Sequence, residues 1–292
     1  MTIEAMRAAV VAIRAGVFDD IEATDIVAEA SRAVVVDGVD REVGVHRPWL
    51  DGTAGGSVAL VLAAHGGAGA STVALAVAEA LTDSGRVHLL DFGEPIWSGL
   101  AAAASIELGS EGAFWWRGRR GRLDLSRLAR HRTDGGLPSP PELDGGARRL
   151  VVDAGWALTT ALLQACSNQV ILLGEQVVVV TRVTVPAVRQ TERALTAVGN
   201  EAVVAAVGPA RWPRAVEASC GPRLAELRAL GRVVRVPIDR RLEVSGLTGD
   251  RLPAAVAAAG RSLAVLLAPA TSRAEQRRRA ASPQTEAAGE TR

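Results

Sequence analysis

The stretch from residue 57 to 81, SVALVLAAHGGAGASTVALAVAEAL, sets an apolar run (Val58, Leu60, Val61, Leu62) before three glycines (Gly66, Gly67, Gly69), a hydroxyl pair (Ser71, Thr72) and an Ala/Val/Leu-rich run. Read as strand, tight turn and helix in immediate succession, it aims backbone N–H groups and a helix N-terminus at one point, a natural seat for an anion. Two acids follow at the ends of apolar runs: Asp91 closes RVHLLD and Asp153 closes RLVVD. A carboxylate at a strand end after such a loop, with a hydroxyl at the head of the helix, is the donor set that holds Mg²⁺ on a nucleotide. On the pattern G-x-x-x-x-G-K-[ST], Gly69 is the last glycine, Ser71 is the Mg²⁺ hydroxyl, and Ala70 stands where the lysine belongs. All 33 basic residues are arginine. A bias against lysine codons turns lysine into arginine, so composition alone does not explain the alanine.

The elements that must position these groups alternate. After the loop helix come a strand over 86–91, a helix starting in 95–104, a basic knot WWRGRRGR at 115–122 and a helix around 123–130. A strand at 149–153, a helix within 156–174 and a strand at 176–181 continue the pattern, then a helix at 186–198 and a strand at 202–207. A helix over 213–230, a strand at 232–237 and a closing helix at 252–267 complete it. Alternation of this kind makes a mostly parallel sheet covered on both faces, with ligands at the carboxyl ends of its strands. The expected organisation is a small helix-and-strand extension with a linker over 1–55, the α/β domain over 56–269, and a disordered arginine-rich tail over 270–292.

Composition narrows the partners. The chain has 292 residues and a formal net charge of +1, so no global field draws it to nucleic acid or membrane. Its two cysteines, Cys166 and Cys220, form no C-x-x-C, and its four histidines (His46, His65, His88, His131) share no ligand spacing, which argues against a zinc-type centre. No apolar run reaches the roughly 20 residues that span a bilayer, and the N-terminus does not read as a secretory leader. Cytoplasmic placement is the expectation.

The segments HGGAGAST, VHLLDFGEP, RRLVVDAGW, VVVVTRVTVPAVRQTERAL and VVRVPIDRRL together resemble the ParA/MinD family of deviant P-loop ATPases over about residues 57–267. The resemblance implies a three-layer, doubly wound, mostly parallel sheet of the P-loop NTPase type. In the family pattern K-G-G-x-G-K-[ST]-T, His65 takes the place of the signature lysine and Ala70 that of the phosphate lysine. Asp91 matches the first acid of D-x-D, Gly93 replaces the second, and Asp153 matches the Walker B acid. Gly208 stands where an adenine-reading asparagine is expected, while Val236, Pro237 and Asp239 keep the late V-P-x-D. The lysine-free loop, the Trp-containing segment and the N-terminal extension resemble the degenerate branch of CpaE, TadZ and actinobacterial septum-site-determining proteins.

That resemblance implies a scaffold that positions a septum or a pilus-like secretion apparatus by binding protein partners, with dimerisation across the loop face. Vestigial or weak nucleotide contacts fall on Gly66, Gly67, Gly69, Ala70, Ser71 and Thr72, and Mg²⁺, if nucleotide binds, on Ser71, Asp91 and Asp153. No cofactor is required, ATP/Mg²⁺ binding is weak, and no residue is assigned as catalytic. The alternative is an ATP-binding, slowly hydrolysing ATPase of the partition type. It would use cations supplied in trans and nonspecific DNA binding, and Trp115, Trp116, Arg117, Arg119, Arg120 and Arg122 are read as a DNA-backbone or, alternatively, a partner-binding surface. A tail without an amphipathic pattern argues against membrane insertion.

Overall fold

The structure is a computed structural model and describes residues 57–130, 138–141, 149–166, 175–199 and 201–268. The extension expected over 1–55 and the tail over 270–292 lie outside them. The described residues belong to one of the two units into which the chain divides, Gly44–Arg292.

The first strand, β1 (Ser57–Ala63), alternates strictly: Ala59, Val61 and Ala63 enter one hydrophobic cluster, while Val58, Leu60 and Leu62 enter a second. Such a strand is buried on both faces, as the central strand of a parallel sheet must be. Among the described residues the sheet has nine strands in the order β3-β4-β5-β2-β6-β1-β7-β8-β9. The strands are β2 (Val87–Asp91), β3 (Ile106–Glu111), β4 (Trp115–Arg120), β5 (Leu123–Leu128), β6 (Arg149–Asp153), β7 (Glu175–Arg182), β8 (Val203–Val207) and β9 (Val233–Val236). From β5 to β9 every neighbouring pair is parallel, and only β3-β4-β5 form an antiparallel meander. The mostly parallel, doubly wound α/β class expected from the sequence is the one observed.

Helix α1 (Ala70–Leu81) and helix α7 (Ala254–Leu267) cover the first face; α2 (Gly155–Cys166), α3 (Val185–Val198), α4 (Arg214–Glu217) and α5 (Pro222–Ala229) cover the second. Helix α1 buries Val73, Ala74, Leu75, Ala76, Val77, Ala78 and Leu81, apolar all round because it lies between sheet and α7. The two helices approach so closely that a Cβ on Gly260 would fall 2.2 Å from the Ala76 carbonyl oxygen.

Three expectations are corrected. Residues 95–104 form turns, not a helix: Trp97 N donates to Glu94 O (2.8 Å) and Ala103 N to Leu100 O (3.0 Å), while guanidiniums from the meander take other carbonyls of the segment. The expected helix at 123–130 is β5: Leu123 and Leu125 enter one hydrophobic cluster and Leu128 the other, and Gly121, at φ 57°, permits the tight turn from β4. The single helix expected over 213–230 is two. Pro222 starts a new one, and the Glu192 carboxylate accepts from Arg223 N (2.8 Å) and Leu224 N (3.1 Å) at its head. A Cβ on Gly221 would strike that carboxylate at 2.3 Å from Glu192 Cδ. Part of the helix expected at 156–174 lies outside the described residues.

The short helix α6 (Arg240–Ser245) had no counterpart in the sequence reading. Asp239 caps it, accepting from Arg241 N (2.9 Å) and Leu242 N (3.4 Å). Replacing Asp239 with Ala is expected to cost about 1 kcal/mol, read as a shift in the denaturation midpoint at unchanged slope. No helix among the described residues is long and apolar enough to cross a membrane.

Candidate functional site

The carboxyl ends of β1, β2 and β6 lie side by side because β6 pairs with both neighbours: Val61 is opposite Asp153, and Asp153 is opposite Asp91. The glycine loop leaves β1 at this edge. Ala64 N donates to Val180 O (2.8 Å) and Ala68 N to His65 O (3.2 Å), which closes the turn. Gly67 (φ 72°) and Gly69 (φ 95°) take left-handed conformations that a side chain would strain, and Gly69 is the N-cap of α1 without any side-chain cap. The first-turn N–H groups of α1 therefore point out of the helix without an intrahelical acceptor. Ala70, at the lysine position, puts its methyl into the hydrophobic cluster.

His65 does not turn toward the loop's anion seat. Its Nε2 accepts from Arg182 N (3.2 Å) and its Nδ1 lies 2.9 Å from Gly66 O, so Nδ1 carries the proton and donates. Arg182, at the end of β7, donates from Nε to Gly67 O (3.2 Å) and lies 3.8 Å from Glu243 on α6. One arginine thus ties the loop to β7 and α6, with its guanidinium spent on a carbonyl and a carboxylate.

Asp91 and Asp153 are buried neighbours. Asp91 Oδ1 accepts from Gly93 N (2.8 Å) and its Oδ2 accepts from the Ser98 hydroxyl. Burial and then the Asp153 charge push its pKa up to about 7, against the pull of Ser98, the Gly93 N–H and Arg127. Asp153 Oδ1 accepts from Gly155 N (3.1 Å), while Oδ2 is buried with no hydrogen-bond partner. Burial raises its pKa too, and the Ser71 hydroxyl and the Gly155 N–H offset part of that rise. A buried, unpartnered carboxylate oxygen next to a hydroxyl and a second acid fits a divalent cation, which would offset the burial that raises both pKa values and the Asp153 charge that adds to the rise at Asp91. The same surroundings do not fit a triphosphate equally well, because among the described residues the lysine position at the head of the helix holds a methyl group and no charged side chain. The turn after β2 also seals Ser71: a Cβ on Gly99 would lie 2.9 Å from Ser71 Cβ and 3.0 Å from its Oγ.

The suggested DNA or partner surface is largely absorbed into the fold. Trp115 is buried, stacks edge-on against Phe92 (5.2 Å between centroids) and donates to Ser139 O (2.7 Å). Arg120 is buried on Glu79 and on the carbonyls of Ala103, Thr248 and Asp250. Arg117 pairs with Glu111 (3.2 Å) and Arg119 with Asp124 (2.8 Å). Trp116 remains half-exposed, its Nε1 donating to Glu107 (2.6 Å), and Arg122 is exposed. These residues sit on β4 and its turn, four strand positions from β1, so the structure does not bring them to the loop within one chain.

Three residues of the site escaped the sequence reading: Ser98, Gly99 and Arg182. Arg182 was within reach, since it ends a strand next to β1, the same position that singled out Asp91 and Asp153. Ser98 and Gly99 lie in the segment read as a helix, and nothing in their spacing marks them.

No protein-family model and no curated protein sequence matches the chain. Solved structures do. A ParA family ATPase from Chlorobium tepidum is similar at 13% identity and TM-score 0.46, covering 72% of this chain and 98% of that one. The MinC:MinD cell division protein complex of Aquifex aeolicus is similar at 15% identity and TM-score 0.46, covering 71% and 95%. The septum site-determining protein MinD of Pyrococcus horikoshii, complexed with Mg-ADP, is similar at 12% identity and TM-score 0.45, covering 72% and 94%. Likeness at these identities concerns the path of the chain and carries nothing about its activity.

Proposed function

We propose that the chain is a ParA/MinD-like positioning scaffold that does not hydrolyse nucleotide and acts in the cytoplasm by binding protein partners. One observation carries this reading: at the head of α1 the lysine position is a buried alanine methyl. The neighbouring cation, Arg182, donates through Nε to Gly67 O and lies 3.8 Å from Glu243. Charge that develops on a transferred phosphoryl group would find backbone N–H groups there and, among the described residues, no cation in the lysine position. Ser71, Asp91 and Asp153 are the residues that would hold Mg²⁺ if nucleotide binds, the metal neutralising phosphate charge. Ground-state binding is weakened and hydrolysis is lost.

The partner role has its own support at the same edge. Ile96 (79% exposed) and Trp97 (78%) follow β2, Trp156 (54%) follows β6, and Ile238 (47%) and Val244 (79%) follow β9. Large apolar side chains displayed along the carboxyl edge mark a protein-docking rim. A second copy of the chain is one occupant that suits it. Trp97→Ser combined with Trp156→Ser is expected to abolish self-association in sedimentation velocity while the far-UV circular dichroism of the fold is kept. Dimers of undiminished affinity in that variant would remove the rim from the interface.

Calorimetric titration with ATP and ADP, with and without Mg²⁺, tests the nucleotide reading. The native chain is expected to give little or no heat. Ala70→Lys restores one or two charge-assisted contacts of about 1.5 to 3 kcal/mol each, so affinity should rise about 10- to 100-fold or more. Tight binding by the native chain, unchanged in Ala70→Lys, would contradict it.

A further inference from the structure

A basic pocket lies on the opposite side of the sheet from α1. Beside the edge strand β9, the ends of β8 and β9 and the helices α4 and α5 border a pocket of about 480 Å³ whose lining includes Ala206, Arg211, Trp212, Glu217, Arg228 and Arg235. Ala206 belongs to the hydrophobic cluster that faces away from α1, so this pocket is separate from the glycine loop. Three guanidiniums meet one carboxylate here, although the chain as a whole carries a net charge of only +1.

The three arginines are held differently. Arg228 lies over the Trp212 ring, 4.3 Å from its centroid, with Nη2 3.2 Å from Glu217 Oε1. Its charge is met, and it stiffens the indole as a wall. Arg235 donates from Nε to Gly208 O (3.2 Å), which fixes the guanidinium plane and leaves its two Nη groups without a carboxylate among the described residues. Arg211 is exposed and has no ion pair among the described residues. The basic character does not run on as a stripe along β9, since Arg232, just before that strand, is paired with Glu201 (3.5 Å). Converging charge in a pocket of small-molecule size suits one compact ligand better than a polymer backbone.

We propose that this pocket binds a small molecule bearing a doubly charged oxyanion, a phosphate or a carboxylate cluster. Arg211 and Arg235 hold the oxyanion and Trp212 supports the body of the ligand. Two unpaired guanidiniums match two negative charges, and the planar fork of each presents paired N–H groups to paired oxygens.

The test is calorimetric titration of the intact chain with pyrophosphate and, separately, with citrate, at about 20 mM and about 150 mM salt. One equivalent of at least one ligand is expected to bind, more weakly at the higher salt. Pyrophosphate alone would assign a phosphate ligand and citrate alone a carboxylate one. Arg211→Gln, which breaks no contact, and the double variant Arg211→Gln/Arg235→Gln should weaken binding, the double about tenfold or more. Ser71→Ala, at the loop, should leave it unchanged. Absence of saturable binding to either ligand overturns the proposal, as does a loss caused by Ser71→Ala and not by the arginine pair.

Discussion

Replacing Asp91 with Asn is expected to make the protein more stable at pH 8 and to leave it nearly unchanged at pH 4 and below. The native acid titrates at about 7 in the fold because it is buried beside Asp153, against an ordinary value of 3.8. Between those two values the folded state holds a proton that the unfolded chain has released. Stability from this group is therefore fully present below about pH 4 and is lost as pH rises through 7. The span corresponds to about 4 kcal/mol. Asn keeps an oxygen for the Gly93 N–H and never ionises, so the difference between variant and native chain should open across the same window. Denaturant titrations at pH 4, 5, 6, 7 and 8 measure it, and parallel pH profiles for the two proteins would refute the raised pKa of Asp91. Mg²⁺ gives the complementary result: it should stabilise the native chain at pH 8 and do less at pH 5, where a proton occupies Asp91.

Gly155→Val should be among the most damaging single changes at the site, at about 3 to 5 kcal/mol. Gly155 sits at φ 60°, a conformation in which a β-branched residue is strained by about 1 to 3 kcal/mol. A Cβ there would also lie 2.6 Å from Gly93 Cα and 2.9 Å from Gly93 N, against backbone that cannot rotate away. Moving that backbone costs a further 1 to 3 kcal/mol, roughly that of an overpacked core. The two glycine N–H groups that meet here also hold the acids, Gly93 on Asp91 and Gly155 on Asp153. The same substitution should therefore remove most of the Mg²⁺-dependent stabilisation at pH 8. A denaturation midpoint close to that of the native chain would show that the two turns do not pack as described.

Much of the fold was legible because two-sided burial writes itself into sequence. The runs SVALVLA, VHLLD and RLVVD read as buried strands, and strand ends carrying acids read as a site. What failed was local. The meander of β3, β4 and β5 hid behind its arginines, which look like a solvated knot until Glu79, Glu107, Glu111 and Asp124 are placed beside them. Those partners lie up to 41 residues away in sequence, as Glu79 does from Arg120. The turn at 95–104 misread as a helix for the same reason: its carbonyls are satisfied by Arg120 and Arg127 from strands that spacing alone does not bring near. The loop's chemistry, in contrast, was readable from Ala70, since a missing side chain needs no partner to be noticed. The part played by Arg182 was not, because it depends on the register of β7 against β1.

The most direct measurement is steady-state ATP hydrolysis by the intact chain with Mg²⁺, beside Asp153→Ala prepared in the same way. With an alanine methyl at the head of α1 and the Arg182 guanidinium engaged elsewhere, both proteins should release phosphate at the same background rate. Turnover by the native chain that disappears in Asp153→Ala would contradict a non-hydrolysing site.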